Sequence, residues 1–333
     1  MHAGRKANRY EFILDKSNIP IVLLLLVPLW VKDSYHLQII DIIGIYILFS
    51  ISLNILTGFL GQISFGHAGF WGIGAYTSAL LSTKLHLPFC IDLVSAVGVT
   101  GIFGFAIGLP ALRLRGSYLA LATLSFGLII QMVLFRWVSF TNGPNGVNDI
   151  PPASFWGMKF DTQVRFYYML WCFLLILHIF CKHLRWSRIG YAMQSVKTDE
   201  IASSMAGINV VGIKLLGFIL SAMIAGLSGS LLAHFMGYIA PELFSVDASI
   251  IVLTIMVLGG GGSLSGPWLG SALIIGSSEY LRFLGHYREI GYGIMIVLVL
   301  IFMPQGLQGA LSVVMNAVKR FAGNVSFRNQ KPV

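Results

Sequence analysis

Apolar residues run through this chain in blocks long enough to cross a lipid bilayer, and polar residues gather between the blocks. A spanning helix needs ~20 largely apolar residues. On that scale the pattern predicts spans near 19–31, 37–56, 63–83, 89–109, 117–138, 165–182, 213–236, 248–260, 268–283 and 289–303. The first, eighth and last are short for a full crossing; the eighth is open to a re-entrant reading and the first to extension into its flanks. The expected fold is all-α: a polytopic membrane protein of about ten transmembrane helices, some of them broken or short. A single transmembrane domain would cover 19–303, between a basic tail at 1–18 and a second tail at 304–333.

One block departs from the pattern. Residues 58–80, GFLGQISFGHAGFWGIGAYTSAL, carry Gln62, Ser64 and His67 together with Gly58, Gly61, Gly66, Gly69, Gly72 and Gly74. Lipid offers no hydrogen bonds, so polar or irregular backbone at membrane depth must be buried in protein or line a wet cavity. Glycines let a helix break or two backbones meet. His67 taken alone reads best as a satisfied packing residue. The segment as a whole reads as a discontinuous helix beside a permeation route, because an amide, a hydroxyl and an imidazole within six residues exceed what packing needs. A second glycine run, Gly259, Gly260, Gly261 and Gly262, separates two apolar blocks; composition leaves a flexible turn and a hinge or second broken helix equally open. Gly61-Gln-Ile-Ser64 and Gly262-Ser-Leu-Ser265 form a faint internal echo, of the kind left by transporter repeats or by chance between glycine-rich turns.

Two connections are long. Residues 139–164 include TNGPNGVNDIPP, rich in turn formers. Residues 183–212 read as a short amphipathic helix closed by Gly207, with Ile201, Met205 and Ile208 on one face and Glu200 and Ser204 on another. That apolar face belongs to no span, so the segment is expected to dock a partner.

Charge orients the chain. Net charge is +9, and 15 of the 22 Lys and Arg lie in the N-terminal tail, 110–116, 182–214 and the C-terminal tail. Such clustering marks cytoplasmic segments, so both termini and the 183–212 connection are expected inside and 139–164 outside. It also accounts for the basic balance without nucleic acid. Only 11% of the 333 residues are charged and 56% are hydrophobic, against about 25% charged in soluble domains, which excludes a soluble domain with an anchor. No small-residue cleavage site follows Trp30, so the basic start and first apolar run read as a retained helix.

Chemistry is sparse. Cys90, Cys172 and Cys181 lack metal-ligand spacing and behave as small hydrophobes. The chain has no phosphate-binding G-x-x-x-x-G-K-[ST] loop, no zinc-protease H-E-x-x-H and no hydrolase signature. No catalytic residue and no metal site is expected, and any ATP hydrolysis would fall to another chain. Asp41 and Asp92 lie near span starts, where a helix N-terminus favours a carboxylate. Glu279 and Arg282 are spaced to pair on one helix.

GQISFGHAGFWGIGAY (61–76) resembles the signature of permease subunits of branched-chain amino acid ABC importers, and the related urea and short-amide permeases look similar. RGSYLALATLSFG (115–127), TNGPNGV (141–147), KTDEIASSMAGINV (197–210), VLGGGGSLSGPWLGSAL (257–273) and FMPQGLQG (302–309) match further family motifs in order, so the resemblance covers roughly 35–310. Ala68-Gly69, Pro144-Asn145 and the loose Asp199-Glu200-Ile201-Ala202 depart from the family pattern and blur the substrate.

The resemblance implies a multi-pass subunit of the bacterial inner membrane, paired with a second permease. Two cytoplasmic ATPases would hold ATP and Mg, and an external binding protein would deliver the substrate. By position, Glu200, Ala202 and Gly207 would belong to the ATPase-coupling helix. Gln62, Ser64, Gly66, His67 and Gly69 would line the translocation pathway. Asn142, Gly143 and Gly146 would form the external loop, and Gly259–Gly262 the hinge. The competing readings are a urea or short-amide permease and, from another class, a stand-alone secondary transporter or channel with Glu279 and His67 as its only proton carriers.

Overall fold

The computed structural model describes residues 27–30, 33–111, 114, 116–155 and 158–280, with short pieces between 293 and 309. Apart from one short hairpin the architecture is helical. Helix α1, Ser34–Leu53, starts at Asp33, whose carboxylate accepts the Tyr35 N–H. That bond and the His36 ring hold the Asp33 carboxyl below the usual carboxylate range. α1 runs directly into a π-helix over Asn54–Phe59. There follow α2 (His67–Lys84), α3 (Phe89–Ala111), α4 (Ser117–Arg136), α5 (Gln163–Arg185), α6 (Arg188–Thr198), α7 (Glu200–Met205), α8 (Val210–Met236), α9 (Val246–Gly259) and α10 (Gly266–Tyr280). Between α4 and α5, strands β1 (Ser154–Phe155) and β2 (Met158–Lys159) pair antiparallel, Ser154 opposite Lys159.

Among the described residues five helical runs are long and apolar enough to cross a membrane: Ser34–Phe59, Phe89–Pro110, Ser117–Arg136, Gln163–Arg185 and Val210–Met236. α2 has 18 residues but carries glycine, serine and threonine. It is buried along nearly its whole length, so protein rather than lipid surrounds it. α1 is the central helix, packed by α5, α8, α9 and α10; α3 and α4 turn broad apolar faces outward. The predicted spans 289–303 and most of 19–31, and the Glu279–Arg282 pairing, lie outside what the structure describes.

Close helix packing depends on missing side chains. A Cβ on Gly74 of α2 would sit 2.4 Å from the backbone of Gly226 on α8, so these helices touch main chain to main chain. Around this contact an aromatic stack fills the core: Phe49 lies on Trp71 at 4.4 Å, and Phe244 meets Trp71 edge-on. The Trp71 indole donates to Ser228 Oγ, which itself donates to the Ile45 carbonyl. Every polar atom in that chain is therefore paired, as burial at membrane depth demands.

Three expectations are corrected. The third span starts at His67 rather than 63, because residues 60–66 are irregular. The single amphipathic helix of the 183–212 connection is two helices, since Asp199 is extended (φ −158°) and caps α7 by accepting the Ile201 and Ala202 N–H groups. Asp41 is not at a helix start. It lies two turns into α1, fully buried, with no hydrogen-bond partner among the described residues. Asp92 does sit in the first turn of α3. The eighth span is the 14-residue α9, ~21 Å long at 1.5 Å per residue and so short of a ~30 Å hydrocarbon core.

Candidate functional site at two interrupted spans

α1, α3, α5 and α9 end, and α2, α4, α8 and α10 begin, at the end of the bundle that carries α6 and α7. The first interruption lies there. After the π-helix, Gly61 takes φ +76°, and the Thr57 hydroxyl donates to the Gln62 carbonyl, so the chain turns back on itself. The Phe65 N–H donates to Thr123 Oγ1. A Cβ on Gly66 would lie 1.8 Å from the Thr123 carbonyl, which is how the break slots against α4.

The five predicted pathway residues divide. Gln62 is half-buried and borders a cleft of about 240 Å³ with Gly116, Leu119, Lys197 and Glu200. Ser64, Gly66, His67 and Gly69 are enclosed in the bundle. His67 is fully buried at the start of α2, stacked on Phe49; its Nε2 lies 2.7 Å from the Ser52 hydroxyl and 3.4 Å from that of Ser221. Gly69 packs on Phe126 and Gly127.

The surface connection is bonded to this break. Lys197 at the end of α6 donates from Nζ to the Gly58 carbonyl at 2.7 Å. Gln62 Nε2 reaches Glu200 Oε1 at 3.4 Å, and the same carboxylate oxygen pairs with Lys214, a buried ammonium near the start of α8. Ala202 is exposed, as are Ile201 and Met205. Gly207 follows α7 with φ +83°, and the Ile208 N–H returns to the Ser203 carbonyl, a left-handed helix stop.

The second interruption is the turn between α9 and α10. Gly259 ends α9, Gly260 and Gly262 take φ +106° and +83°, and Gly261 is exposed. Asn54, the first residue of the π-helix, clamps this turn: Nδ2 donates to the Ser263 carbonyl at 2.7 Å and Oδ1 accepts the Gly262 N–H at 2.8 Å. Gly58 also meets Gly262 main chain to main chain, so the two glycine-rich stretches, 58–80 and 259–262, are in contact.

At the opposite end, Asn142 (φ +65°), Gly143 (φ +58°) and Gly146 (φ +67°) form one tight turn, closed by Asn142 Nδ2 donating to the Gly146 carbonyl at 2.9 Å. Val147 bridges to Ile239, and Ile150 N–H bonds the Gly237 carbonyl, which ties the turn to the end of α8. A cavity of about 460 Å³ opens beside it, lined partly by Thr83, Lys84, Asn142 and Asn148.

Asn54, Lys197 and Lys214 were not singled out from the sequence. The available signals were a lone amide inside an apolar run and a lysine at a span's first turn. Among the described residues no three His, Cys, Asp or Glu side chains are placed to hold a metal.

A bundle of apolar helices, with two interruptions in contact and the first bonded to a surface connection, defines a polytopic membrane protein of the transporter class. The chain belongs to the family described as branched-chain amino acid transport system / permease component, whose sequence model matches residues 35–303. It is 37% identical over 286 residues to the high-affinity branched-chain amino acid transport system permease protein LivM of Salmonella typhimurium, covering 79% of this chain and 67% of that one. It is 35% identical to LivM of Escherichia coli K12, covering 86% and 73%. Identity to the permease protein LivH of the same E. coli strain is 29%, covering 79% and 91%. No solved structure matches the chain.

Proposed function

We propose that this chain is one of two permease subunits of an ATP-binding-cassette importer that carries branched-chain amino acids across the bacterial inner membrane. The observation that carries this reading is the bonding of the surface connection to the first interrupted span, Lys197 to Gly58 and Glu200 to Gln62. The names of the LivM relatives support the substrate class, and similarity to both LivM and LivH supports pairing with a second, related permease.

On this reading two ATPase subunits, holding ATP and Mg, dock on the exposed side of α6 and α7, where Ile201 and Met205 stand free of the bundle. The tails and this connection face the cytoplasm. A binding protein docks at Asn142, Gly143 and Gly146. ATP binding closes the ATPase pair and displaces α7. Because Glu200 and Lys197 hold Gln62 and Gly58, the displacement reaches the break and reorients the wall formed by Gln62, Ser64, Gly66, His67 and Gly69. Glycine at 66 and 69 lets this wall approach α4 closely. No covalent bond changes in this chain; its part is positional.

Proteoliposomes holding this chain with a second permease, both ATPases and the binding protein should take up leucine only with internal ATP and loaded binding protein. Uptake by this chain alone would instead support a stand-alone transporter. Uptake of urea in place of leucine would move the substrate to the amides.

A further inference from the structure

We infer that Asn54 joins the two interrupted spans into one moving part, so that the turn 260–265 is driven by the same surface connection as the first break. This rests on the transport reading above.

Asn54 is 3% exposed within the apolar run SISLNIL. A buried carboxamide is costly unless bonded, and both of its polar atoms bond one turn: Gly262 N–H as donor and Ser263 carbonyl as acceptor. The turn in exchange has its Gly262 N–H and Ser263 carbonyl paired. Asparagine suits both bonds; aspartate would keep the first and lose the donor needed for the second.

The neighbourhood is shaped around this clamp. Gly58 lies one turn further along the π-helix, and a Cβ there would meet Asn54 Oδ1 at 2.0 Å and Gly262 N at 2.6 Å. Any side chain at 58 would sever the contact. The Gly58 carbonyl is also the acceptor for Lys197. A continuous path therefore runs from the α6 ammonium, through the Gly58 carbonyl and the π turn, to the Asn54 amide and the second turn. Such π turns are rare inside helices and frequent at functional sites. Gly262, at positive φ, leaves the second turn free of a side chain where it meets Gly58. The end of the first span and the turn between α9 and α10 are thus bonded through one carboxamide.

The test uses the full reconstituted complex with single-cysteine probes at each interruption, Ile63→Cys and Ser265→Cys. Maleimide labelling rates are compared with and without vanadate-trapped nucleotide. With Asn54 intact, trapping should change the rate at both positions. In Asn54→Ala the change at 265 should vanish while that at 63 persists, and leucine uptake should fall about tenfold with ATP hydrolysis retained, as expected for a stranded buried donor. If Asn54→Ala does not assemble, Asn54→Leu, which keeps the volume and removes both bonds, should give the same split. A response at both positions in the variant that assembles, or at 63 alone with Asn54 intact, overturns the inference. A wild-type complex without ATP-dependent uptake overturns the transport reading, and the inference with it.

Discussion

Glu200 holds two partners on one oxygen, the Gln62 amide and the Lys214 ammonium. Their burial differs: the Lys214 side chain is 4% exposed and that of Glu200 25%. Removing the carboxylate therefore strands a buried cation, whereas removing the cation leaves a carboxylate that water still reaches. Glu200→Ala should destabilise the assembled complex by on the order of 1–3 kcal/mol, below the full cost of breaking a buried pair because water screens the acid. It should also abolish stimulation of ATPase activity by the loaded binding protein. Adding Lys214→Met should restore thermal stability without restoring stimulation, since the apolar side chain removes the stranded charge but not the lost link to Gln62. Unchanged stimulation in Glu200→Ala would sink the coupling assignment. Of these residues Glu200 stood out in the sequence, and Lys214 did not. A lysine at the head of a span reads as an interfacial anchor until the fold shows a carboxylate above it.

Helix stops and helix contacts follow different rules in this chain, and glycine serves both. Gly207 ends α7 at φ +83°, and a Cβ there would meet nothing within 4 Å, so its constraint is conformational rather than steric. Asparagine tolerates the left-handed region and β-branched residues do not. Gly207→Asn should keep coupled transport near wild type, and Gly207→Val should uncouple it, read as leucine taken up per ATP hydrolysed. Gly74 is the opposite case, an ordinary helical position where space is the constraint. Gly74→Val should force α2 and α8 apart at a cost of ~3 kcal/mol or more, seen as loss of inserted, detergent-stable protein. Gly98 faces open space on α3, so Gly98→Ala should be tolerated and raise stability by up to about 1 kcal/mol through helix propensity. The split of the 183–212 connection at Asp199 escaped the sequence reading. Helical spacing continues across it, and only the cap geometry reveals the extended residue.

Across the whole molecule the interrupted spans and the surface connection share one end, and the Asn142–Gly146 turn occupies the other. Cysteines introduced at Ile201 and at Asn148 should therefore label from opposite sides of the membrane, Ile201 from the side of the ATPases. Labelling of both by one impermeant reagent in sealed, oriented vesicles would overturn the orientation proposed from charge. The number of crossings follows less directly. Five helical runs meet the length and hydropathy of a span. α2 has the length but is sheltered by its neighbours, and α9 has the hydropathy in only 14 residues. Small and polar residues lower the hydropathy of a buried helix and shortness hides a half-span, so α2 and α9 are the elements hydropathy describes least well.

What the sequence determined by itself was the class: a helical membrane protein, its principal apolar spans, the two glycine-rich anomalies and the family to which their motifs belong. These properties are local, set by runs and spacings that act before any tertiary contact forms. Tertiary structure alone decided that the two anomalies touch, that one asparagine joins them, and that a lysine and a glutamate from the surface connection hold the first. The residues concerned lie 139 positions apart for Lys197 and Gly58 and 208 for Asn54 and Gly262. No periodicity links positions so distant; packing of α1 against α9 and α10, and of α6 against the π-helix, brings them within a hydrogen bond's length.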